Sequence, residues 1–298
     1  MSDHRGDGDG WVECARGHRH WGLFGAAGLL AHRGSDDGTA EVLLQHRAGW
    51  SHFGGTWGLL GGARQRGESA VTAAVREAGE EGGLAPDDVR VHGRYDEEHG
   101  GWSYATILGM ARWDLDARPT GGESIDVAWH PADRVGDLPL HPGFAGAWPV
   151  LRAALRPLTV VVDAANVVGS RPDGWWRDRV GAAGRLIDAA ASLASRGVAD
   201  GDIPRELARA PLTHWWPVVR VVVEGAARAV DPERAAGVSV VAAPASGDDE
   251  IVEQAAAGVA AGQTLVVTAD RELRDRCRSA GAAVVGPRWW HDRTTVAT

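Results

Sequence analysis

A glycine-rich turn running into an acid-dense helix is what most restricts the fold of this chain. Gly62-Ala63-Arg64-Gln65-Arg66-Gly67-Glu68 leads, after seven residues, into Arg76-Glu77-Ala78-Gly79-Glu80-Glu81-Gly82-Gly83-Leu84. Glu77, Glu80 and Glu81 stand at i, i+3 and i+4, so a helix places them on one face. Like charges this close repel, and they destabilise the helix unless a counter-charge sits on them. A hard divalent cation is the natural counter-charge, because Mg²⁺ takes oxygen ligands and bridges carboxylates to substrate phosphates. The stretch reads as a metal site for diphosphate chemistry.

The helix signals agree. Ser69 is placed to cap the N-terminus. Val71, Ala74, Val75 and Ala78 repeat at i, i+3, i+4 and i+7 and predict the buried stripe. Gly82 and Gly83 predict a left-handed stop. Upstream, Thr56-Trp57-Gly58-Leu59-Leu60-Gly61-Gly62 reads as a strand end entering a glycine loop, where backbone can approach a ligand closely. Glu68, at the loop–helix junction, is placed to pair with Arg76.

These residues resemble the Nudix box, G-x5-E-x7-R-E-U-x-E-E-x-G-U. Gly62, Glu68, Arg76, Glu77, Glu80, Glu81 and Gly83 match every fixed position. Ala78 is smaller than the usual aliphatic, and Leu60 stands where many members have Pro. The resemblance implies a mixed-sheet α/β/α sandwich and a Mg²⁺- or Mn²⁺-dependent hydrolase of diphosphate bonds in nucleotides. It implies Glu80 and Glu81 as metal ligands, Glu77 as a ligand or the base, and a carbonyl of Gly61 or Gly62 as a further ligand. Arg76 is expected to orient Glu68 rather than touch substrate. The bland alternative, a solvated acidic helix face, is the weaker reading against a complete box.

At 298 residues the chain has room for one large or two ordinary domains. No apolar run reaches the roughly 18 residues that span a bilayer, so no membrane partner is expected. Met1 to Gly10 is polar and does not read as a signal peptide; residues 1–19 are expected to be a flexible tail. Two cysteines, Cys14 and Cys277, do not make a disulfide framework and fit a reducing cytoplasm. A net charge of −9 offers nucleic acid no global basic field. There is no lysine, so every basic side chain but histidine is arginine; this reads as coding bias and lowers the weight of any single arginine as a phosphate binder.

Residues 20–156 are expected to form the first domain, of α+β type. Gly22 to Leu30 and Glu41 to Arg47 read as strands around a polar turn, Arg33 to Thr39. Trp102 to Trp113 and Val127 to His130 read as strands, and Ala147 to Leu155 as a short helix. Residues 157–298 change character. Apolar β-rich runs at Leu158 to Val162, Val218 to Val223, Val238 to Ala243, Thr264 to Thr268 and Ala282 to Val285 alternate with helical stretches near Trp176 to Ser195, Asp249 to Ala261 and Arg271 to Ala280. That alternation predicts an α/β/α domain on a parallel sheet covered on both faces.

Acids follow these strands: Asp163 the first, Glu224 the second, Asp248, Asp249 and Glu250 the third, Asp270 the fourth. Ligands of open parallel sheets bind beyond the carboxyl ends of the strands, so these acids should share one rim. Grouped carboxylates there suit one or two Mg²⁺ or Mn²⁺ ions that activate water for phosphodiester cleavage. Val161-Val162-Asp163-Ala164-Ala165-Asn166, Ser246-Gly247-Asp248-Asp249-Glu250-Ile251 and Val267-Thr268-Ala269-Asp270-Arg271-Glu272-Leu273 resemble the PIN-like NYN ribonucleases, over most of residues 158–290. The resemblance implies Asp163, Asn166, Asp249 and Asp270 as metal-site residues, Asp248 close behind and Glu224 last, with Asn166 also placed to meet substrate. Each acid has a plain alternative as a helix cap or strand-end residue.

Other groupings carry less. Cys14-x3-His18-x-His20 holds metal-ligand residue types without the second pair that structural zinc needs, and reads as polar residues beside the first strand. Glu97, Glu98 and His99 are candidates to line the cleft of the first domain, with Glu98 as a substrate contact. Glu123 is a candidate extra catalytic carboxylate. Trp57 is either core or a nucleobase platform. Trp175-Trp176, Trp215-Trp216 and Trp289-Trp290, with Arg171, Arg177, Arg179 and Arg288, suit an RNA groove, but packing is the better reading.

The expected substrate is a nucleotide: an oxidised nucleoside triphosphate, ADP-ribose, a dinucleoside polyphosphate, or a triphosphate or cap on RNA. A fused ribonuclease suggests successive action on one RNA. The competing classes are a nucleotide sensor regulating the second domain, and a second domain that is an inactive scaffold or a dimerisation module joining two copies of the chain.

Overall fold

The computed structural model describes residues 6–34, 39–207 and 212–295. The chain divides into two compact units, Met1–Leu155 with Ala210–Thr213, and Arg156–Arg209 with His214–Thr298.

The first unit is a mixed sheet with a helix against it. Its strands are β1 (Trp11–Glu13), β2 (Arg19–Trp21), β3 (Ala26–Gly34), β4 (Ala40–Arg47), β5 (Trp57–Gly58), β6 (Leu60–Ala63), β7 (Val89–Glu98), β8 (Ser103–Ala111) and β9 (Ser124–Pro131); its helices are α1 (Ala70–Gly82) and α2 (Pro142–Ala153). β3 is central. It pairs in parallel with β8 and antiparallel with β6 at its start and β4 at its end. β7 then adds to β8, and β9 and β5 add to β4, all antiparallel. The tip of the predicted turn, 35–38, lies outside the described residues. β7 is a strand that the sequence did not announce, because His92 and Gly93 interrupt its alternation.

α1 sits directly on β3, β6 and β8. Its buried positions are Ala70, Ala73, Ala74, Ala78, Glu81 and Gly82, so Ala73 takes the place expected for Val75, which is half-buried. Alanine on the contact face brings the helix axis close to the sheet, and Ala78 is fully buried there. Gly61 allows the matching approach within the sheet: a Cβ on it would lie 2.5 Å from the Ala27 carbonyl oxygen. Ser69 caps the helix by accepting from the Thr72 N–H at 3.0 Å. Gly83, at φ 73°, ends it as expected.

Where a flexible tail was expected for residues 1–19, β1 and β2 form an antiparallel hairpin. Its Val12 and Cys14 pack with Ala26, Trp102 and Tyr104.

The second unit is a five-stranded, all-parallel sheet in the order β14-β13-β10-β15-β16. Its elements are β10 (Leu158–Asp163), α3 (Ala164–Gly169), α4 (Arg179–Arg196), β11 (Val198–Ala199), β12 (His214–Trp215), β13 (Val218–Val223), β14 (Val238–Ala242), α5 (Gly247–Ala261), β15 (Gln263–Val267), α6 (Arg271–Ser279), β16 (Ala283–Val285) and α7 (Pro287–Thr294). Val161, Val222 and Val266 pack with Ile251 and Ala255 of α5 and Leu273 and Cys277 of α6. Their neighbours Val160, Val162, Val221 and Val267 point the other way and are equally buried. Both faces are therefore covered, which is why these strands read as continuous apolar runs. The chain leaves β10 toward β13 and β14, then returns to β15 on the opposite side of β10. That places the topological switch point between β10 and β15.

Candidate active site

Helical geometry sorts the three box glutamates by depth. At about 100° per residue, Glu81 and Glu80 fall on opposite sides of Glu77. Glu81 turns toward the sheet and is 8 % exposed; the Glu80 side chain is 59 % exposed. Glu81 Oε2 accepts from the Gly61 N–H at 2.7 Å and from Gln45 Nε2 at 3.0 Å. Gln45 is fully buried. It donates also to the Leu59 carbonyl at 2.8 Å and accepts from Ser124 Oγ at 2.6 Å. Sequence reasoning missed Gln45 and Ser124. They lie on β4 and β9, and nothing in their local pattern marks a polar core position.

Burial pushes the Glu81 carboxyl up to about 8, against the pull of the Gly61 N–H. Burial also pushes Glu77 up to about 7, opposed by Arg76 and reinforced by Glu80 and Glu123. Glu77 lies against Gly62: a Cβ on Gly62 would stand 2.6 Å from Glu77 Oε1. Glycine at this position keeps room for the carboxylate.

Arg76 braces the cluster. Its Nε and Nη2 donate to Glu68 Oε1 and Oε2 at 2.9 and 3.1 Å. Nη1 donates to Glu77 at 2.8 Å and Glu80 at 3.1 Å, and Nη2 also reaches the Ala63 carbonyl at 3.0 Å. The fork to Glu68 was expected; the contacts to Glu77 and Glu80 extend it. The hydrogen bonds from Arg76 hold Glu68 below the usual carboxylate range.

Around this centre, Glu123 is exposed and close enough to Glu77 to raise it. Trp57 is half-buried, stacked on His46 at 4.9 Å, with His130 at 4.4 Å and its plane 76° away. Strand alternation brings Glu97, not Glu98, toward the interior. Glu97 is half-buried and acts on half-buried Tyr104, as does Glu81, while Glu98 is exposed. His99 does not join this cleft; its ring lies 4.6 Å from that of His20.

In the second unit the acids do meet on one rim, but most of them already have a structural partner. Asp163 caps α3 through the Asn166 N–H at 3.0 Å and accepts from Thr268 Oγ1 at 2.8 Å. Asn166 Oδ1 in turn accepts from the Ala269 N–H at 3.1 Å. Asp270 caps α6 through the Leu273 N–H at 2.8 Å. Glu224 accepts from the Gly247 N–H at 3.1 Å, and Asp249 pairs with Arg276 at 2.5 Å. Asp248 remains near the others: burial raises it, followed by Asp270 and, more weakly, Glu224 and Asp249. Burial likewise raises Asp163, helped by Asp248 and Glu224. A shallow depression lined by Ala165, Asn166, Gly169, Ser170 and Ala269 opens beside them at the switch point. Of the tryptophan pairs, Trp215 and Trp290 are packing residues at 1 % exposure each, whereas Trp176 is 52 % exposed.

Both donor sets are hard carboxylate oxygens, which fits Mg²⁺ or Mn²⁺. Buried carboxyls raised toward neutrality at the box are groups that a cation would relieve. Among the described residues, no helix is long and apolar enough to cross a membrane.

A family model for the Nudix domain matches residues 25–154. The chain is 48 % identical over 164 residues to a Mycobacterium tuberculosis protein named putative 8-oxo-dGTP diphosphatase 3, covering 52 % of this chain and 73 % of that one. It is 42 % identical over 155 residues to a Bifidobacterium longum nucleoside triphosphate pyrophosphatase/Nudix hydrolase fusion protein, covering 51 % of this chain and 32 % of that one. A crystal structure of a Nudix hydrolase from M. smegmatis aligns at 46 % identity and a TM-score of 0.47, covering 49 % of this chain and 94 % of that one. With its complete box folded onto the mixed sheet, and with this likeness to nearly three quarters of the mycobacterial relative, the chain belongs to the Nudix family.

Proposed function

We propose that the first unit hydrolyses a diphosphate bond of a nucleoside triphosphate, with an oxidised purine nucleotide as the preferred substrate. The observation that carries the reading is the pairing of two raised box carboxyls, half-buried Glu77 and buried Glu81, beside an arginine-braced Glu68. The name of the mycobacterial relative supports the substrate class. Glu77, Glu80, Glu81 and the Gly62 carbonyl would hold Mg²⁺ or Mn²⁺, which when bound neutralises phosphate oxygens and lowers the pKa of the attacking water. Arg76 holds Glu68 and orients Glu77 and Glu80. Glu123, exposed near Glu77, is placed to accept a proton from water. Trp57, half-buried beside His46 and His130, would stack on a base, and exposed Glu98 would contact the substrate. Two buried cysteines support a reducing cytoplasm.

The test is a panel of 8-oxo-dGTP, dGTP, ADP-ribose, dinucleoside polyphosphates and 5′-triphosphorylated RNA with Mg²⁺. The expected outcome is preference for 8-oxo-dGTP with release of pyrophosphate or phosphate. Glu81→Gln should lower kcat/KM by more than about 100-fold, since even outer-sphere partners of metal ligands are worth roughly 10–100-fold. Nucleotide binding without turnover across the panel would instead favour a sensor.

For the second unit the reading is a metal-dependent ribonuclease of PIN-like NYN type. Asp163, Asp248, Asp249 and Asp270 would hold the metal and Asn166 would meet RNA. The convergence of Asp163, Asp248, Asp270 and Glu224 on one rim supports it.

A further inference from the structure

Outside the box, four side chains from two distant segments converge. Cys14 Sγ and one ring nitrogen from each of His18, His20 and His99 all lie within 4.8 Å of one another. Among the described residues this is the one group of three or more Cys, His, Asp or Glu ligand atoms that gathers so closely. The scaffold that brings them together is specific. The Cys14 N–H donates to the His18 carbonyl and the Gly17 N–H to the Cys14 carbonyl, both at 2.9 Å, closing the loop between β1 and β2. The Ala15 N–H donates to the Gly100 carbonyl at 2.8 Å, which docks that loop on the turn between β7 and β8. His99 stands on this turn, fixed by its N–H to the Trp102 carbonyl at 2.9 Å. The Trp102 indole N–H is bonded to the Gly22 carbonyl at 2.9 Å, and its ring stacks on His20 at 4.0 Å with planes 10° apart.

The polar atoms inside this scaffold lack partners. His20 Nε2 and His99 Nδ1 are buried and receive or donate no hydrogen bond. Cys14 is 5 % exposed. A buried ring nitrogen without a partner is unfavourable and is rare in folded proteins. Two of them, on rings that each bring a nitrogen within 4.8 Å of the Cys14 sulfur, would be accounted for by an ion among these side chains.

We propose that Cys14, His18, His20 and His99 form a structural Zn²⁺ site that clamps the β1–β2 hairpin to the β7–β8 turn. A thiolate with three imidazoles is a soft-to-borderline donor set, which suits Zn²⁺ and not the hard Mg²⁺ of carboxylate sites. Zn–S and Zn–N bonds of about 2.3 and 2.0–2.1 Å in a tetrahedron put donors roughly 3.3–3.7 Å apart. The ring of donors therefore has to contract by about 1 Å, which exposed His18 can supply. Four protein ligands fill the coordination sphere, so the site holds structure and leaves no position for substrate. On binding, the Cys14 S–H releases its proton to solvent as the S–Zn bond forms. The local spacing of Cys14, His18 and His20 lacks a fourth ligand; His99 supplies it from 79 positions beyond His20.

The test uses the untagged full chain, purified without chelator from zinc-supplemented cells. About one zinc per chain is expected by elemental analysis, as for a closed four-ligand site. Cobalt exchanged into the site should give tetrahedral d–d bands and a thiolate-to-cobalt charge-transfer band that Cys14→Ser removes. His18→Ala, which deletes an exposed ligand without opening the core, should weaken zinc at least about tenfold in competition with a chromophoric chelator. Glu81→Gln should leave zinc content unchanged. Absence of zinc and of a thiolate–cobalt band in the native chain would overturn the proposal. So would zinc affinity unaffected by His18→Ala in a natively folded variant, or zinc lost in Glu81→Gln.

Discussion

The box helix and the rim of the parallel sheet both present carboxylates, yet they hold them in opposite ways. On α1 three glutamates come from adjacent turns of one helix, and the fold buries Glu81 and half-buries Glu77, which raises both. At the rim the acids come from four separate segments, with Asp248 and Asp249 sharing α5. Most are already engaged: Asp163 and Asp270 cap helices, Glu224 holds the Gly247 N–H, and Asp249 is ion-paired. A carboxylate satisfied by backbone N–H groups contributes to the fold whether or not it does chemistry. One raised by burial despite the bonds it accepts carries a cost that points to function; both inward glutamates of the box do so, and at the rim Asp163 and Asp248. The contrast teaches that proximity of acids on a rim is weaker testimony than a pair of acids on one helix whose burial outweighs the hydrogen bonds they accept.

Asp163→Asn is the largest lever on this contrast. The amide oxygen can still accept the Asn166 N–H, so α3 should stay capped. Any Mg²⁺- or Mn²⁺-dependent RNA cleavage should fall more than about 100-fold, while nucleotide turnover stays within about twofold because the two sites share no residue and belong to separate compact units. Loss of both activities in a folded variant would break the comparison; cleavage that persists would make the rim structural only.

Gln45→Leu comes next. It removes the amide that holds Glu81 Oε2 and the Leu59 carbonyl. The expected result is a roughly 10–100-fold loss of kcat/KM, with a higher Mg²⁺ requirement. Titration of turnover against Mg²⁺ separates this from simple destabilisation, which would lower active protein without moving the metal midpoint.

The smallest expected effect concerns pH and stability. His32 and His92 meet Nε2 to Nε2 at 2.6 Å in the interior. Burial pushes His32 down to about 4 and His92 well below its ordinary value. The unfolded chain takes up these protons near pH 6.5; in the native state His32 resists until about pH 4 and His92 is also held well below its ordinary value. Stability is therefore full above about 6.5 and declines as pH falls through that window, by up to roughly 1.4 kcal/mol per pH unit for each histidine. Urea unfolding at pH 7.5 and 5.0 checks this. A His32→Leu/His92→Leu variant should show a flatter dependence, and an unchanged slope would remove the pair from the account.

Much of the site was written in local spacing. Ser69, Gly83, the three box glutamates and the Glu68–Arg76 pair are separated by a few residues on one helix and its entry loop, and helical geometry alone brings them together. The five parallel strands were legible for a similar reason: each is apolar on both faces. The fold differed where a strand alternation was broken, as at His92 and Gly93 in β7, or where a polar segment found partners far away, as the β1–β2 hairpin did.

By itself, then, the sequence determined that glutamates would crowd one helical face beside a glycine turn, because residue spacing on a helix is set by the backbone. Only the tertiary structure decided which glutamate is buried, that Gln45 holds it, that Glu97 rather than Glu98 faces inward, and that His99 joins Cys14, His18 and His20. Those outcomes depend on strand register and on contacts between segments dozens of residues apart, and no local pattern encodes them.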